Sequence, residues 1–457
     1  MAVKPKKVDL NANSVEILNA VRSELGAPYS NMVPYANPTT ESIRSVGDAI
    51  MGYEATQNAF LSALINRIAK VVITSKNFYN PWSFMKQGIM EMGETVEELF
   101  VNLVPINQFD PAVAENELYK RVIPDVRSAF HPMNYQKFYK ITVSNDQLRQ
   151  AFLSWQGITD LISKIIESIY KSANYDEFLV MKYLLAKKAL AGNLYSVHVD
   201  ALSADTASDL VRTIKGISTD MAYPKTKYNE AGVTTNTERF DQFIITSAES
   251  NAYIDVDVLA AAFNMDKVEF IGHRVEVDSF SEFPEDRMAE IFANDPNYTP
   301  FTPTEINALN NVLAVVIDRN FMQIYDNFYN MTEKYNSQGL YWNYFYHVWK
   351  TYSTSPFSNA VVFTTDTPAI TSVTVAPSAV TVNKGQTAQL TATVVTTGLA
   401  PKTVTWSMTT TTDNSYVDQN GLVHVGSDET LTSLTVRATS TYDDTKYSDS
   451  TITVPSA

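Results

Sequence analysis

Apolar residues follow a helical period in the first half of the chain and a strand period at its end, with no period between Ser75 and about Tyr139. Ile17, Leu18, Val21 and Leu25 share one face of a helix predicted over Ser14 to Leu25, with Ser14 as its cap and Gly26 and Pro28 as its stop. Tyr29 to Thr40 carries prolines and Asn-Pro turn signals, and reads as an extended arm that must lie on something else, its own domain included. A second stripe (Ile43, Val46, Ile50, Tyr53, Phe60, Leu61, Leu64, Ile65, Ile68) predicts a helix from Glu41 to Lys70, drifting around Gly47 and Gly52, and Val71-Val72-Ile73 then turns strand-like. Asn80-Pro81, Gly88, Gly93, Pro105 and Asp110-Pro111 punctuate the aperiodic stretch. An excursion of about sixty residues is the length of a functional loop or a protruding hairpin.

The strongest stripe runs from Gly157 to Gly192 through Leu161, Ile162, Ile165, Ile166, Ile169, Phe178, Leu179, Met181, Leu184 and Leu185, and predicts a helix that spans a whole domain. Ser203 to Asp278 reads as an α/β unit, with helices at Thr206–Met221 and Asp255–Asn264 and strands at Phe240–Thr246 and Phe270–Val277. Asn294 to Thr304, with three prolines, is a surface loop. Val312–Ile317 and Phe321–Tyr325 read as two strands of a hairpin turned at Asp318-Arg319-Asn320. Tyr341 to Trp349 is aromatic on both alternating faces, and is expected to be covered on both sides as the closing strand of a large domain.

After about Thr367 the chain becomes Thr- and Val-rich and strictly alternating. Leu390, Ala392 and Val394 point inward, as do Val404, Trp406 and Met408, and Leu434, Val436 and Ala438. Turns fall at Asn383-Lys384-Gly385 and Asn420-Gly421, and short strands around one central Trp predict an immunoglobulin-like sandwich. With no cysteine pair, Trp406 is expected to pack on aliphatic side chains alone.

A length of 457 residues implies two or three domains. The net charge of -15, from 35 basic and 50 acidic residues, excludes nucleic-acid binding through a global field. Lys4, Lys6 and Lys7 form the one basic cluster, and a solvated terminus is its simplest reading. The absence of cysteine removes disulfide frameworks, thiolate zinc sites and cysteine nucleophiles. The first residues have charge without an apolar segment, so no secretory signal is read, and no apolar run reaches the ~18 residues of a membrane span.

Chemistry is hard to find. His131, His198, His273, His347 and His424 are dispersed without ligand spacing, and His347 sits in the aromatic strand as a packing residue. G-x-S-x-G, Walker and G-x-G-x-x-G patterns are absent. Asp255 and Asp257 hint at a calcium loop, but Leu259 and Ala260 stand where a ligand and a glycine belong, so Asp257 reads as a helix cap. Glu91, Glu94, Glu97 and Glu98 read as a solvated helix face or a charged subunit contact rather than a glycosidase pair. No catalytic, cofactor-binding or metal-binding residue is assigned, no cofactor is expected, and the chain reads as a non-enzyme.

Several segments carry a family resemblance. RVIPDVRSAFHP from Arg121, AFLSWQGITDLISKIIESIYKSANYDEF from Ala151, IDVDVLAAAFNM from Ile254, YDNFYNM from Tyr325, GLYWNYFYHVW from Gly339 and FSNAVVF from Phe357 resemble, in order, the major capsid protein of phi 29-like short-tailed phages. From Ile370, SVTVAP, GQTAQLTATV, VTW and NGLV resemble the group 2 bacterial immunoglobulin-like domain. The resemblance implies an α+β Hong Kong 97-type capsid fold over 1–366, followed by an immunoglobulin-like sandwich over 368–457. Within the first part it implies an N-terminal arm (about 1–40), an extended loop (75–140), a spine helix (157–192) and an axial domain (203–310), with the strands from Val312 to Phe363 completing a peripheral sheet. Asn294 to Asn310 has no counterpart in that pattern.

The function implied is a structural shell of pentamers and hexamers enclosing double-stranded DNA in an icosahedral or prolate head, assembled in the host cytoplasm and resident in the virion. The implied partners are further copies of the chain, a scaffolding protein, a portal or connector protein, and DNA held weakly and without sequence preference. A head fibre or host surface would meet the immunoglobulin-like module, and no membrane is involved. On this reading Trp82, Phe84 and Met85 in the long loop are buried only by other chains, and removal of the module after about Thr367 leaves a folded, assembly-competent subunit. The alternative is a bacterial surface or adhesive protein, and a third reading is an enzyme with a carbohydrate-binding appendage.

Overall fold

A computed structural model describes residues 14–53, 55–60, 63, 80–91, 95–104, 106, 124–152, 157–203, 206–254, 274–296, 298–410, 412 and 415–455, with the backbone alone over 157–167. Its centre is a long antiparallel hairpin, Met322–Asn336 with Tyr341–Thr354, flanked by Gly88–Ile89 on one side and Tyr135–Ser144 on the other. The pairing runs from Tyr341↔Asn336 to Thr354↔Met322 with a register shift between Trp349 and Lys350. Alternation sends Trp342, Tyr344, Tyr346 and Val348 into the first hydrophobic core. The opposite face, with Phe345 and His347, is only half-buried, and Phe138 beside them is 56% exposed. Among the described residues the aromatic strand is therefore covered on one side rather than on both.

The first helix, Ser14–Ser30, is broken at Gly26, whose φ of 73° is the left-handed conformation that ends a helical run. The arm beyond it lies on its own domain. Tyr29, Val33 and Ala36 join the first core, and the Asn19 amide both donates to the Ala36 carbonyl at 2.9 Å and accepts from its N–H at 2.8 Å. The next helix, Thr40–Met51, is capped by Thr39, whose hydroxyl accepts from Ser42 N–H at 3.2 Å. It stops at Gly52 and helical backbone resumes over 55–60, so the single helix expected to Lys70 is broken. Val71-Val72-Ile73 and the basic cluster at Lys4, Lys6 and Lys7 lie outside the described residues.

The long helix, Gly157–Ala191, runs behind both sheets. Its Ile169 enters the first core, while Leu179, Val180, Met181, Leu185 and Ala189 enter a second. That second core lies under a five-stranded sheet ordered Tyr195–His198, Ala360–Thr364, Val312–Asp318, Gln242–Ser247, Arg274–Val277. A third core, with Leu210, Ile214 and Met221 of helix Ala207–Met221, covers its other face. Val312–Ile317 is buried throughout, as a central strand between two layers must be.

Two expectations change here. The strands either side of Asp318-Arg319-Asn320 do not form a hairpin: Val312–Asp318 pairs with Ala360–Thr364 and Gln242–Ser247, and Met322–Asn336 pairs with the long hairpin's other arm. The strands from Val312 to Phe363 thus divide between two sheets instead of completing one. The turn is real, with the Asp318 carboxylate accepting from Asn320 N–H at 2.7 Å, but it hands the chain from one sheet to the next. The Pro-rich segment is a loop that leads into helix Pro303–Asn310, where Thr302 and Glu305 form a capping box. Its Tyr298 and Phe301 close around Tyr183 of the long helix at 5.6 and 5.4 Å between ring centroids. The helix expected at Asp255–Asn264 lies outside the described residues, as does the first half of the strand expected over Phe270–Val277, of which Arg274–Val277 is seen.

The described residues of Ala369–Thr453 are strand, turn and loop around a separate core of Val373, Val375, Leu390, Val394, Trp406, Leu434, Val436, Ala438 and Ile452. Trp406 packs there among aliphatic side chains, and Gly421, at φ 80°, sits so close to its ring that a Cβ would lie 2.8 Å from it.

A candidate assembly surface

Within the aperiodic stretch, Val96–Val101 pairs antiparallel with Val126–His131 as a two-stranded ribbon. Its two faces have different fates. On the inner face, Phe100 stacks on Phe357 with centroids 5.6 Å apart, and Glu98 Oε1 accepts from Ser355 Oγ at 2.7 Å. His131 is buried between Ser353 Oγ at 2.8 Å and Glu98 Oε2 at 3.3 Å. At the ribbon's base Arg127 donates to the Ala231 carbonyl and forks onto Asp125, which holds that carboxyl below the usual range. Glu91 lies in a loop and Glu97 and Glu98 lie on a strand, so the four glutamates form no helix face; Glu94 is outside the described residues.

The outer face presents Leu99 and Phe130, each 62% exposed, with Val101, Val126, Leu103, Val104 and Ile106 continuing it. Burying each such side chain is worth about 1.5–3 kcal/mol, so a run of seven is a strong docking surface. The alternation Glu97-Leu99-Val101 was the available signal, hidden by a reading of the glutamates as helical.

Trp82 and Met85 are not intersubunit residues. They are 0% and 1% exposed in the second core, where the Trp82 ring meets Phe178 edge-on at 5.4 Å, and Phe84, 38% exposed, rests on Phe243 at 4.8 Å. The reason is local: Asn80 Oδ1 accepts from Trp82 N–H at 2.9 Å, turning the ring back onto the long helix.

The remaining histidines stay apart. His198 donates to the Asp366 carbonyl at 2.9 Å, His347 lies 5.7 Å from the Phe138 ring and His424 stacks on Tyr416 at 4.5 Å, while His273, Asp255 and Asp257 are outside the described residues. Among the described residues no three His, Asp or Glu side chains are grouped as metal ligands, and no helix is long and apolar enough to cross a membrane.

The all-β region meets the rest of the chain through a defined joint. Gly192 ends the long helix at φ 76°, and its carbonyl accepts from Lys402 N–H at 2.8 Å. A Cβ at Gly192 would lie 3.0 Å from the Ala400 carbonyl oxygen, so glycine is required by both conformation and space. Leu399 is buried in the second core, Ser196 donates to the Leu399 carbonyl, and Tyr195 meets Tyr442 at 5.4 Å.

Comparison with known proteins gives this arrangement its context. Residues 18–364 match the model of the Phi29-like phage major capsid protein family. The chain is 33% identical over 432 residues to the major capsid protein of Bacillus phage B103, spanning 93% of this chain and 90% of that one. It is 25% identical over 364 residues to the major capsid protein of Streptococcus phage Cp-1, spanning 76% and 93%. A solved capsid structure of Staphylococcus phage Andhra aligns at a TM-score of 0.49 and 17% identity, over 64% of this chain and 85% of that one. The sequence relationship is decisive without the distant structural likeness: the chain belongs to the Phi29-like phage major capsid protein family.

Proposed function

We propose that the chain is the shell subunit of a phage head, closing into rings of five and six copies around the packaged genome. The observation that supports this most directly is the apolar outer face of the ribbon. Among the described residues none covers it, and a heterologous contact with the next copy in a ring would. In Hong Kong 97-type terms the ribbon belongs to the extended loop, Gly157–Ala191 is the spine helix, the four-stranded sheet with the N-terminal helices is the peripheral domain, and the five-stranded sheet is the axial domain. Residues 369–454 form the group 2 immunoglobulin-like module, placed on the outside of the shell, where a fibre or host surface could meet it.

Assembly takes place in the host cytoplasm on a scaffolding protein and around a portal. The acidic chain holds DNA weakly, since a genome driven in by a motor needs no tight grip. The family supports a shell role over the adhesive reading, and a structural role over an enzymatic one.

The test is electron microscopy of the purified chain, expressed with and without a candidate scaffolding protein. Closed shells or rings are expected. A dispersed monomer under every condition would overturn the reading.

A further inference from the structure

Four charged side chains cluster where the long helix crosses the long hairpin, Lys350 and Glu177 buried and Lys86 and Asp326 17% and 14% exposed. Lys350 and Asp326 face each other across the two strands, directly beside the register shift. Lys350 Nζ touches Glu177 Oε2 of the long helix and lies 3.3 Å from Asp326 Oδ1. Lys86 Nζ stands 2.5 Å from Asp326 Oδ2 and 3.1 Å from Glu177 Oε2, whose other oxygen accepts from Asn80 Nδ2 at 2.7 Å. Asp326 Oδ1 is buried and makes no hydrogen bond, and the Tyr329 ring closes over Lys350 with its centroid 5.5 Å from Nζ. Two buried and two half-buried charges are a costly way to join a helix to a sheet, because desolvation offsets much of their attraction.

We propose that Lys350 and Asp326 condense within the folded subunit to form an amide, with Glu177 carrying the proton and Lys86 holding the carboxyl oxygen. A Lys350 proton passes through Glu177 to Asp326, leaving a free amine and a carboxylic acid. The Lys350 amine attacks Asp326 Cγ and a C–N bond forms. Glu177 accepts the proton released by nitrogen, and the Lys86 ammonium holds the oxyanion of the tetrahedral intermediate. The C–O bond then breaks, and Glu177 returns its proton to the departing hydroxide as water. No oxidant or cofactor enters, and net charge is conserved.

Two features favour this outcome. Burial, reinforced by the neighbouring Lys86 charge, lowers the Lys350 pKa well below that of an ordinary lysine, so the free amine is accessible. The product also resolves the electrostatics, since a neutral amide replaces one ion pair and leaves Lys86 with Glu177 as the other. Nucleophile and electrophile are held by a sheet register, which supplies the proximity such a reaction needs.

The experiment is mass spectrometry of the purified wild-type chain after unfolding, intact and after trypsin. The expected chain is lighter than its sequence by one water. Its tryptic map should join the Asp326 peptide to the one containing Lys350 and show no cleavage after Lys350. Lys350→Met and Asp326→Ala should each restore the full sequence mass, and Glu177→Gln should leave both partners unjoined. A wild-type chain of full mass, both as a soluble subunit and from assembled particles, overturns the proposal. A joined Glu177→Gln chain overturns the role given to Glu177.

Discussion

The ribbon and the C-terminal sandwich are both built from alternating strands, yet one is left open and the other is closed. In the sandwich, Leu434, Val436 and Ala438 alternate inward beside Trp406 and Ile452 of their own sheet, and share one core with Val373, Val375 and Val394 of another. In the ribbon, Leu99 and Val101 alternate outward and meet no cover among the described residues, while Phe100 and Glu98 occupy the face turned to the subunit. Alternation specifies a face, and the number of layers decides whether the same chain supplies its cover. The difference separates folding residues from assembly residues.

The largest expected effect comes from breaking the open face. Leu99→Asp combined with Phe130→Asp should abolish rings and shells while leaving the subunit's thermal melt unchanged, since both side chains are exposed. Electron microscopy and a melt of the same sample check the two halves; a lowered melting point would make the ribbon part of the subunit core. Trp82→Ala inverts this pattern. With the ring fully buried against Phe178, it should cost the subunit about 3–5 kcal/mol in denaturant unfolding, before any assembly step is reached.

Leu399→Ala tests whether the sandwich is truly closed. This residue lies in the β module's sequence but in the second core of the shell part, and its truncation should cost about 2–4 kcal/mol. For the same reason, deletion after Thr367 should give poorly soluble protein, contrary to the independence that sequence implies. Soluble truncated subunits with an unchanged melt would restore that independence.

The smallest effect concerns Glu429, buried in the sandwich, where the Ser415 and Thr412 hydroxyls at 2.5 Å and the N–H groups of Leu431 and Thr430 at 3.0 Å hold its carboxyl at about 2. A lowered carboxylate pKa stabilises the fold above the ordinary value of 4.5, and the gain disappears as pH falls toward 2. Glu429→Gln should cost about 2 kcal/mol at neutral pH and much less near pH 3, read by urea melts at both.

Much of the architecture was legible from period alone. The stripe from Ile169 to Leu185 gave the long helix, and the inward sets around Trp406 gave the sandwich core. Pairing was not legible. Asp318-Arg319-Asn320 has the same turn chemistry whether its strands part or pair, and the distinguishing signal was the unbroken apolar run Val312–Ile317, which belongs to a strand covered on both faces. Trp82 misled for a related reason: a lone aromatic among turn residues carries no period, so its destination depended on one side-chain bond from Asn80. The ribbon face was concealed by adjacent Glu97 and Glu98, which point to opposite sides of a strand although they resemble a helical charge cluster.

The long hairpin has a mechanical consequence. Tyr341–Lys350 is paired on one side with Ser144–Tyr135 and on the other with the arm that begins at Asn336. A pull directed along these strands is shared by every rung of both ladders at once, so the sheet resists in shear and fails as a unit. A pull across them would open one rung at a time. A wall that must withstand outward pressure gains most when tension runs along the strands, and forced unfolding of single subunits pulled in the two directions would show the contrast.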